Sequence, residues 1–259
     1  MFYWSEKMFV EERKEQILEM VRKFGKVKVK ELSERFDVTE DCIRKDLASL
    51  EKRNLLKRAY GGAVSIRSNP HAIEVSARKC QNLEGKRIIA SKAVELIQEG
   101  DVVFLDLSTT NIEVAKLIAV SNKKITIITN MLEVLLVLKE ATQRVIFVGG
   151  ELNDERDGFF GAMTIQILLQ FKFDIAFLGA AGINVYDNEV TTYGVDDGLT
   201  KDAALKTSRR TYLLAEVNKF SHDGNYKYAA ITDFDGMITD MGLSDVVKNK
   251  VTQYSIELI

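Results

Sequence analysis

The sequence predicts an α/β protein in two parts, a small helical N-terminal domain and a larger domain built on a mostly parallel sheet. Three observations carry that expectation. From about Lys79 onward, short apolar runs recur: VVFL at 102–105, ITIIT at 125–129, RVIFV at 144–148, DIAFL at 174–178 and TYLLA at 211–215. Segments with helical spacing, such as MLEVLLVLKEA and GAMTIQILLQF, separate most of these runs, and strands alternating with helices build a parallel sheet covered on both faces. Charge divides along the chain as well. Residues 1–67 hold 16 Lys and Arg against 12 Asp and Glu, whereas the remaining residues hold 20 against 26. The basic excess lies at the N-terminal end, where a nucleic-acid contact would need it.

The N-terminal elements follow in order. Ile17, Leu18, Val21 and Phe24 have the three-to-four spacing of an amphipathic helix, which Gly25 ends. Val27 and Val29 then alternate with lysines before a second short helix begins around Lys30 and presents Leu32 and Phe36 on one face. Asp37-Val38 makes a tight turn, and Thr39 stands as N-cap to EDCIRKDLASLEKR. In that third helix Ile43, Leu47 and Leu50 face the core. Asn54, a residue tolerated at positive φ, precedes LLKRAYGGAV, a strand, a Gly61-Gly62 bend and a returning strand.

Two short helices joined by a tight turn form a helix-turn-helix, whose second helix enters the major groove by its N-terminal end. Here that end carries Thr39, Cys42, Arg44 and Lys45. The first and second are small enough for close approach, and the basic pair reaches phosphates or guanine edges. The hairpin is then a wing that aims Lys57 and Arg58 at the DNA backbone, whereas Asp46, repelled by phosphate, belongs inside the fold. The winged helix-turn-helix is expected over residues 1–66, and a linker over 67–78 that contains Pro70, the sole proline. The larger domain, a Rossmann-like unit on the mostly parallel sheet, takes 79–259.

Ligands of parallel sheets bind at the carboxyl ends of the strands, and there this sequence turns polar or glycine-rich. VVFL runs into Asp106, Ser108, Thr109, Thr110 and Asn111 at a helix start, a ready anion site. ITIIT runs into Asn130; VIFV into Gly149, Gly150 and Glu151; AFL into Gly179; and LLA into Glu216 and, three residues on, Lys219, suited to complete a phosphate clamp. Other chemistries find little support. Cys42 and Cys80 lack metal-ligand spacing and only His71 and His222 could assist them, so neither metal nor cofactor is expected. No window approaches the roughly 18 apolar residues of a membrane span, and the N-terminus lacks signal-peptide character, which predicts a cytoplasmic protein.

The string VTEDCIRKDLASLEKRNLLKRAYGGAV resembles the DeoR-family winged helix, with Lys45 in place of an arginine, Cys42 of a threonine, Asn54 of a glycine and Tyr60 of a histidine. The strand-end motifs resemble that family's effector domain, whose fold is similar to ribose-5-phosphate isomerase. Asp106–Thr110 matches its D-S-G-T-T, Thr129-Asn130 its T-N, Gly149–Leu152 its G-G-E-L, Ala204–Lys206 its E-V-K and Glu216–Lys219 its D-S-S-K. Ser108 replaces a glycine, Ala181 and Ala204 replace acids, and Glu216 is one methylene longer than aspartate. The resemblance implies a DNA-binding repressor of a sugar or polyol operon, released by a phosphorylated sugar that Lys206 helps to bind, and working as a homodimer or larger oligomer. Two alternatives stay open at this point. One is a regulator whose C-terminal domain only oligomerises. The other is a sugar-phosphate isomerase using Asp106, Glu151 or Glu216 as base.

Overall fold

The computed structural model describes residues 9–53, 55–67, 75–153 and 157–259, so Asn54 and Pro70 lie outside the described residues. The described residues up to Arg67, with Ser221–Asp223, form one compact unit, and the other described residues from Val75 onward form the second.

The first unit contains α1 (Val10–Phe24), β1 (Lys26–Lys28), α2 (Val29–Phe36), α3 (Glu40–Lys52), β2 (Lys57–Ala59), β3 (Gly62–Val64) and β4 (Ile66–Arg67). Gly25 ends α1 at φ 70°, and Asp37 turns the chain between α2 and α3 at φ 49°. Thr39 caps α3, its Oγ1 accepting the Cys42 amide at 3.3 Å. Ile17, Val21, Leu32, Ile43, Leu47 and Leu50 close a core in which none is more than 1% exposed. Phe24, which continues the α1 stripe in sequence, is exposed. β1, β3 and β2 form an antiparallel sheet in that order. Gly62 is required there, because a Cβ on it would stand 1.9 Å from the Val27 carbonyl oxygen. Asp46 is internal, its Oδ2 accepting from Arg13 Nε at 2.7 Å in a buried ion pair.

In the second unit, α4 (Val75–Cys80) and α5 (Leu83–Glu95) precede β5 (Val102–Leu105), α6 (Thr109–Ala119), β6 (Thr126–Thr129), α7 (Leu132–Leu138) and β7 (Arg144–Phe147). A hairpin of β8 (Glu151–Leu152) and β9 (Phe159–Phe160) leads to α8 (Ala162–Leu168) and β10 (Ile175–Gly179). Then come β11 (Gly182–Asn184), β12 (Glu189–Thr192), α9 (Val195–Thr207), β13 (Thr211–Ala215), β15 (Tyr226–Ala229), β16 (Gly236–Thr239), α10 (Asp245–Gln253) and β17 (Glu257–Leu258), while β14 (His222–Asp223), between β13 and β15 in sequence, belongs to the first unit. β14 pairs with β4, and β11, β12 and β15 form a small antiparallel sheet.

The main sheet has seven strands in the order β17-β16-β13-β10-β5-β6-β7, every pair parallel. Taken in chain order this is the doubly wound arrangement, with the first strand beside the fourth. Alternate residues of the central strands pack into different cores: Phe104, Leu178 and Leu213 into one, Leu105, Phe177 and Leu214 into the other. Burial on both faces is why these strands read as unbroken apolar runs.

Two expectations change. The linker was expected over 67–78, but Val75–Cys80 is helical, since VSARKC contains neither glycine nor proline and its last carbonyls find a donor in Lys86. The sheet also has two strands, β16 and β17, that the apolar runs did not announce.

Candidate nucleic-acid interface and sheet-edge site

Thr39, Cys42, Arg44, Lys45, Lys57 and Arg58 are all exposed, while Ile43, Asp46, Leu47 and Leu50 fill the inner face of α3. The helical period therefore separates the expected contact residues from the core. Two of the cations are engaged within the protein. Arg44 reaches Glu40 Oε2 at 2.5 Å and Asp41 Oδ1 at 2.8 Å. Arg58 donates from Nε to Glu51 Oε2 at 2.6 Å and from its backbone N–H to Oε1 at 2.9 Å, which holds the Glu51 carboxyl below its ordinary range. These pairs are half-exposed and screened by solvent, so exchanging the carboxylate for a phosphate costs little.

In the second unit the polar residues gather where the strand order reverses, between β5 and β10, the place where such sheets bind ligands. Ser108 caps α6, its Oγ accepting the Asn111 amide at 3.3 Å, and the first-turn amides of Thr109 and Thr110 have no preceding turn to bond. Ser108 also packs on Gly179, where a Cβ would meet the Ser108 Cβ at 2.5 Å. The side chain that replaces a glycine thus fills space that Gly179 leaves open. Asn111 donates to Asp106 Oδ1 at 2.7 Å and to the Phe177 carbonyl at 2.9 Å, and Asn130 donates to the Phe159 carbonyl at 2.7 Å. The Oδ1 atoms of Asn111 and Asn130 are buried and accept no hydrogen bond from the described protein. A buried acceptor left in that state is costly, and a ligand hydroxyl would satisfy it.

Asp106 is 2% exposed, and its Oδ2 accepts from the Gly179 amide at 2.7 Å and from Lys201 Nζ at 2.5 Å. Lys201 also reaches Asp197 Oδ1 at 3.4 Å. Burial alone would lower the Lys201 pKa, but the charges of Asp106 and Asp197 outweigh it and raise the value, while burial raises that of Asp197. Lys206 does not join this group. It lies on the outer side of α9, 64% exposed at the side chain and paired with Asp202 at 2.6 Å, because five residues along a helix turn it well away from Lys201. Ala204 is part of the apolar core, so no acid is missing from the site there. The acid and lysine that α9 brings to the sheet edge are Asp197 and Lys201. Their i, i+4 spacing in DDGLTK is the signal for them in the sequence, outside the strand-end junctions.

Glu216 follows β13, buried, with its Oε2 accepting from Asn82 Nδ2 at 2.7 Å. Asn82 also donates to Asp240 Oδ2 at 2.9 Å. Burial lowers the Lys219 pKa; Glu216 opposes this, and Arg78 and Lys86 add to it. Neither Asn82, Asp240 nor Lys86 stands in an apolar-run junction of the kind the sequence makes visible. On the β7 side, Gly150 serves packing, since a Cβ would meet Thr164 Oγ1 at 2.0 Å, whereas Gly149 has open space and Glu151 is exposed. Ala181 is buried after β10. Among the described residues, no three His, Cys, Asp or Glu side chains are grouped to hold a metal ion, and no helix is long and apolar enough to cross a membrane.

Two family models match the chain. One described as a DeoR-like helix-turn-helix domain covers residues 13–69, and one described as the DeoR C terminal sensor domain covers residues 81–241. The lactose phosphotransferase system repressor of Staphylococcus epidermidis is 31% identical over 252 residues, covering 96% of this chain and 98% of that one. The glycerol-3-phosphate regulon repressor of Escherichia coli is 32% identical over 249 residues, covering 95% and 97%. Among solved structures, ribose 5-phosphate isomerase A of Methanocaldococcus jannaschii aligns over 54% of this chain and 55% of that one, with 16% identity and a TM-score of 0.41.

Proposed function

The chain belongs to the DeoR family of DNA-binding transcription regulators, and on that premise we propose that it is a repressor released from DNA by a phosphorylated sugar or polyol. It is a regulator rather than an enzyme, as its relatives are. In this reading Thr39, Cys42, Arg44, Lys45, Lys57 and Arg58 contact DNA. The effector lies at the β5/β10 switch point, its phosphate between the first turn of α6 and Lys219, its hydroxyls on the amide oxygens of Asn111 and Asn130. The observation that carries the reading is the meeting of two unlike demands on one sheet edge: a desolvated lysine with a helix N-terminus, which ask for an anion, and two buried acceptors, which ask for hydroxyl donors. A phosphorylated polyol supplies both. DNA half-sites mirror protein symmetry, so the working state is taken to be a homodimer or larger oligomer. Sedimentation of the purified chain as a monomer at micromolar concentration would remove that part.

The test is a thermal shift on the full chain with glycerol 3-phosphate, fructose 1-phosphate, fructose 6-phosphate, ribose 5-phosphate and inorganic phosphate. A ligand at a hundredfold its Kd adds about 2.7 kcal/mol, and each kcal/mol moves Tm by roughly 2–4 °C for a chain of this size. At least one sugar or polyol phosphate raises Tm and weakens DNA binding; Thr109→Ala and Lys219→Ala lose the response and keep DNA binding. If no organic phosphate raises Tm while DNA binding is intact, the second unit is an assembly domain and the sensing reading falls.

A further inference from the structure

The last turn of α4 reaches both flanks of the sheet edge. The Arg78 guanidinium lies over the Tyr193 ring at 5.3 Å, beyond the end of β12, and the next residue, Lys79, pairs with Glu133 in the first turn of α7. Two side chains of the following joint hold α4 there. Lys86, 2% exposed, donates from Nζ to the carbonyls of Arg78 and Gln81 at the end of α4, the second at 2.7 Å, and the Arg78 carbonyl also accepts the Gln81 amide at 3.3 Å. Asn82, in the left-handed region at φ 45°, bridges Glu216 and Asp240, and Asp240 Oδ1 in turn accepts the Val217 amide at 2.8 Å. Gly85 leaves room for that bridge, since a Cβ would stand 2.4 Å from Asn82 Nδ2 and 2.6 Å from Asp240 Oδ2.

A buried ammonium held by carbonyl dipoles, with Glu216 as its strongest favourable charge, is sensitive to any new anion nearby; burial already pushes its pKa down. The same Glu216 carries the Asn82 bridge and opposes the burial of Lys219. A charge placed against Lys219 therefore acts on both fastenings of α4 at once. We propose that Asn82, Gly85 and Lys86 form a joint that reads occupancy of the sheet-edge site: an anion beside Lys219 draws on Lys86 and loosens the end of α4, the first described helix of the second unit. This rests on the reading of that site as an effector site, and it supplies the differential contact between liganded and free states that any ligand-driven response requires.

Hydrogen exchange on the full chain tests it, with inorganic phosphate and each of the four organic phosphates named above, alongside the thermal shift. The phosphate that raises Tm speeds exchange of the 76–81 amides about fivefold or more, the lower end of ordinary coupling. In Gly85→Ala, and in Asn82→Ala should the first variant fold poorly, exchange at 76–81 is fast without ligand. The same phosphate still raises Tm but changes that exchange less than about twofold, which a purely structural joint would not produce. A wild-type Tm shift with unchanged 76–81 exchange overturns the joint and leaves sensing standing, as does a ligand response in Gly85→Ala equal to wild type. No Tm shift with any phosphate overturns both.

Discussion

Asp106 distributes both carboxylate oxygens inside the protein: Oδ1 to Asn111, Oδ2 to the Gly179 amide and to Lys201. A general base needs a lone pair aimed at the proton it takes, and Asp106 has its oxygens committed to three donors. The residue thus ties the β5–α6 turn, the end of β10 and α9 together. The expected cost of cutting the tie is large, because breaking a buried ion pair strands the surviving charge. Lys201→Met lowers unfolding free energy by about 3–5 kcal/mol, measured by urea unfolding at pH 7. The pH dependence has a defined sign. The Lys201 pKa is raised by folding, so its contribution is complete below the ordinary lysine value and is lost as pH rises through the raised one. The difference between wild type and Lys201→Met therefore holds steady up to about pH 10.4 and narrows above it. A difference that shrinks between neutral pH and pH 9 contradicts this assignment.

At the scale of elements, legibility in the sequence follows how local the determining physics is. Gly25, Thr39 and the spacing of Ile43, Leu47 and Leu50 act within one or two turns, and the helices stand where those signals put them. The five apolar runs became strands β5, β6, β7, β10 and β13; in all but the edge strand β7, two-sided burial writes itself as continuous hydrophobicity. β17 has only two residues and β16 opens on Gly236, so their pairing depends on neighbours far away in the chain. The same holds for the site. The junction residues could be read, but Lys201 on α9 and Asn82 in the α4–α5 joint reach the sheet edge through tertiary placement. Two substitutions separate local from nonlocal effects. Thr39→Ala removes an N-cap and costs about 1 kcal/mol, with Thr39→Ser close to wild type in the same unfolding experiment. Gly62→Ala sets a Cβ against the Val27 backbone, which cannot yield as a side chain end can. It costs about 1–3 kcal/mol or more and removes DNA binding together with the β1–β3 pairing, read by gel shift.

Across the whole molecule the charge is −2, although residues 1–67 carry an excess of four positive charges. Long-range attraction to DNA is therefore weak, and in the proposed reading the basic residues of α3 and the wing act within about one Debye length, ~8 Å at physiological salt. In that range what matters is how many cations are free to meet phosphates. Arg44 is not free: Glu40 and Asp41 hold it from within the same helix. If DNA meets this face as proposed, it must displace those carboxylates, and Glu40 itself stands in the first turn of α3. Glu40→Gln should thus strengthen binding to a random-sequence duplex about two- to fivefold, the value of one exposed ion pair. The slope of log affinity against log salt stays nearly unchanged, since the number of phosphates met is the same. Arg44→Ala weakens binding and makes that slope shallower by about 0.9. Fluorescence anisotropy titrations of the full chain from low to physiological salt read both quantities. If Glu40→Gln and wild type bind alike while Arg44→Ala loses affinity, the intrahelical pair does not compete with DNA. If Arg44→Ala leaves slope and affinity unchanged, the face of α3 that meets DNA lies elsewhere.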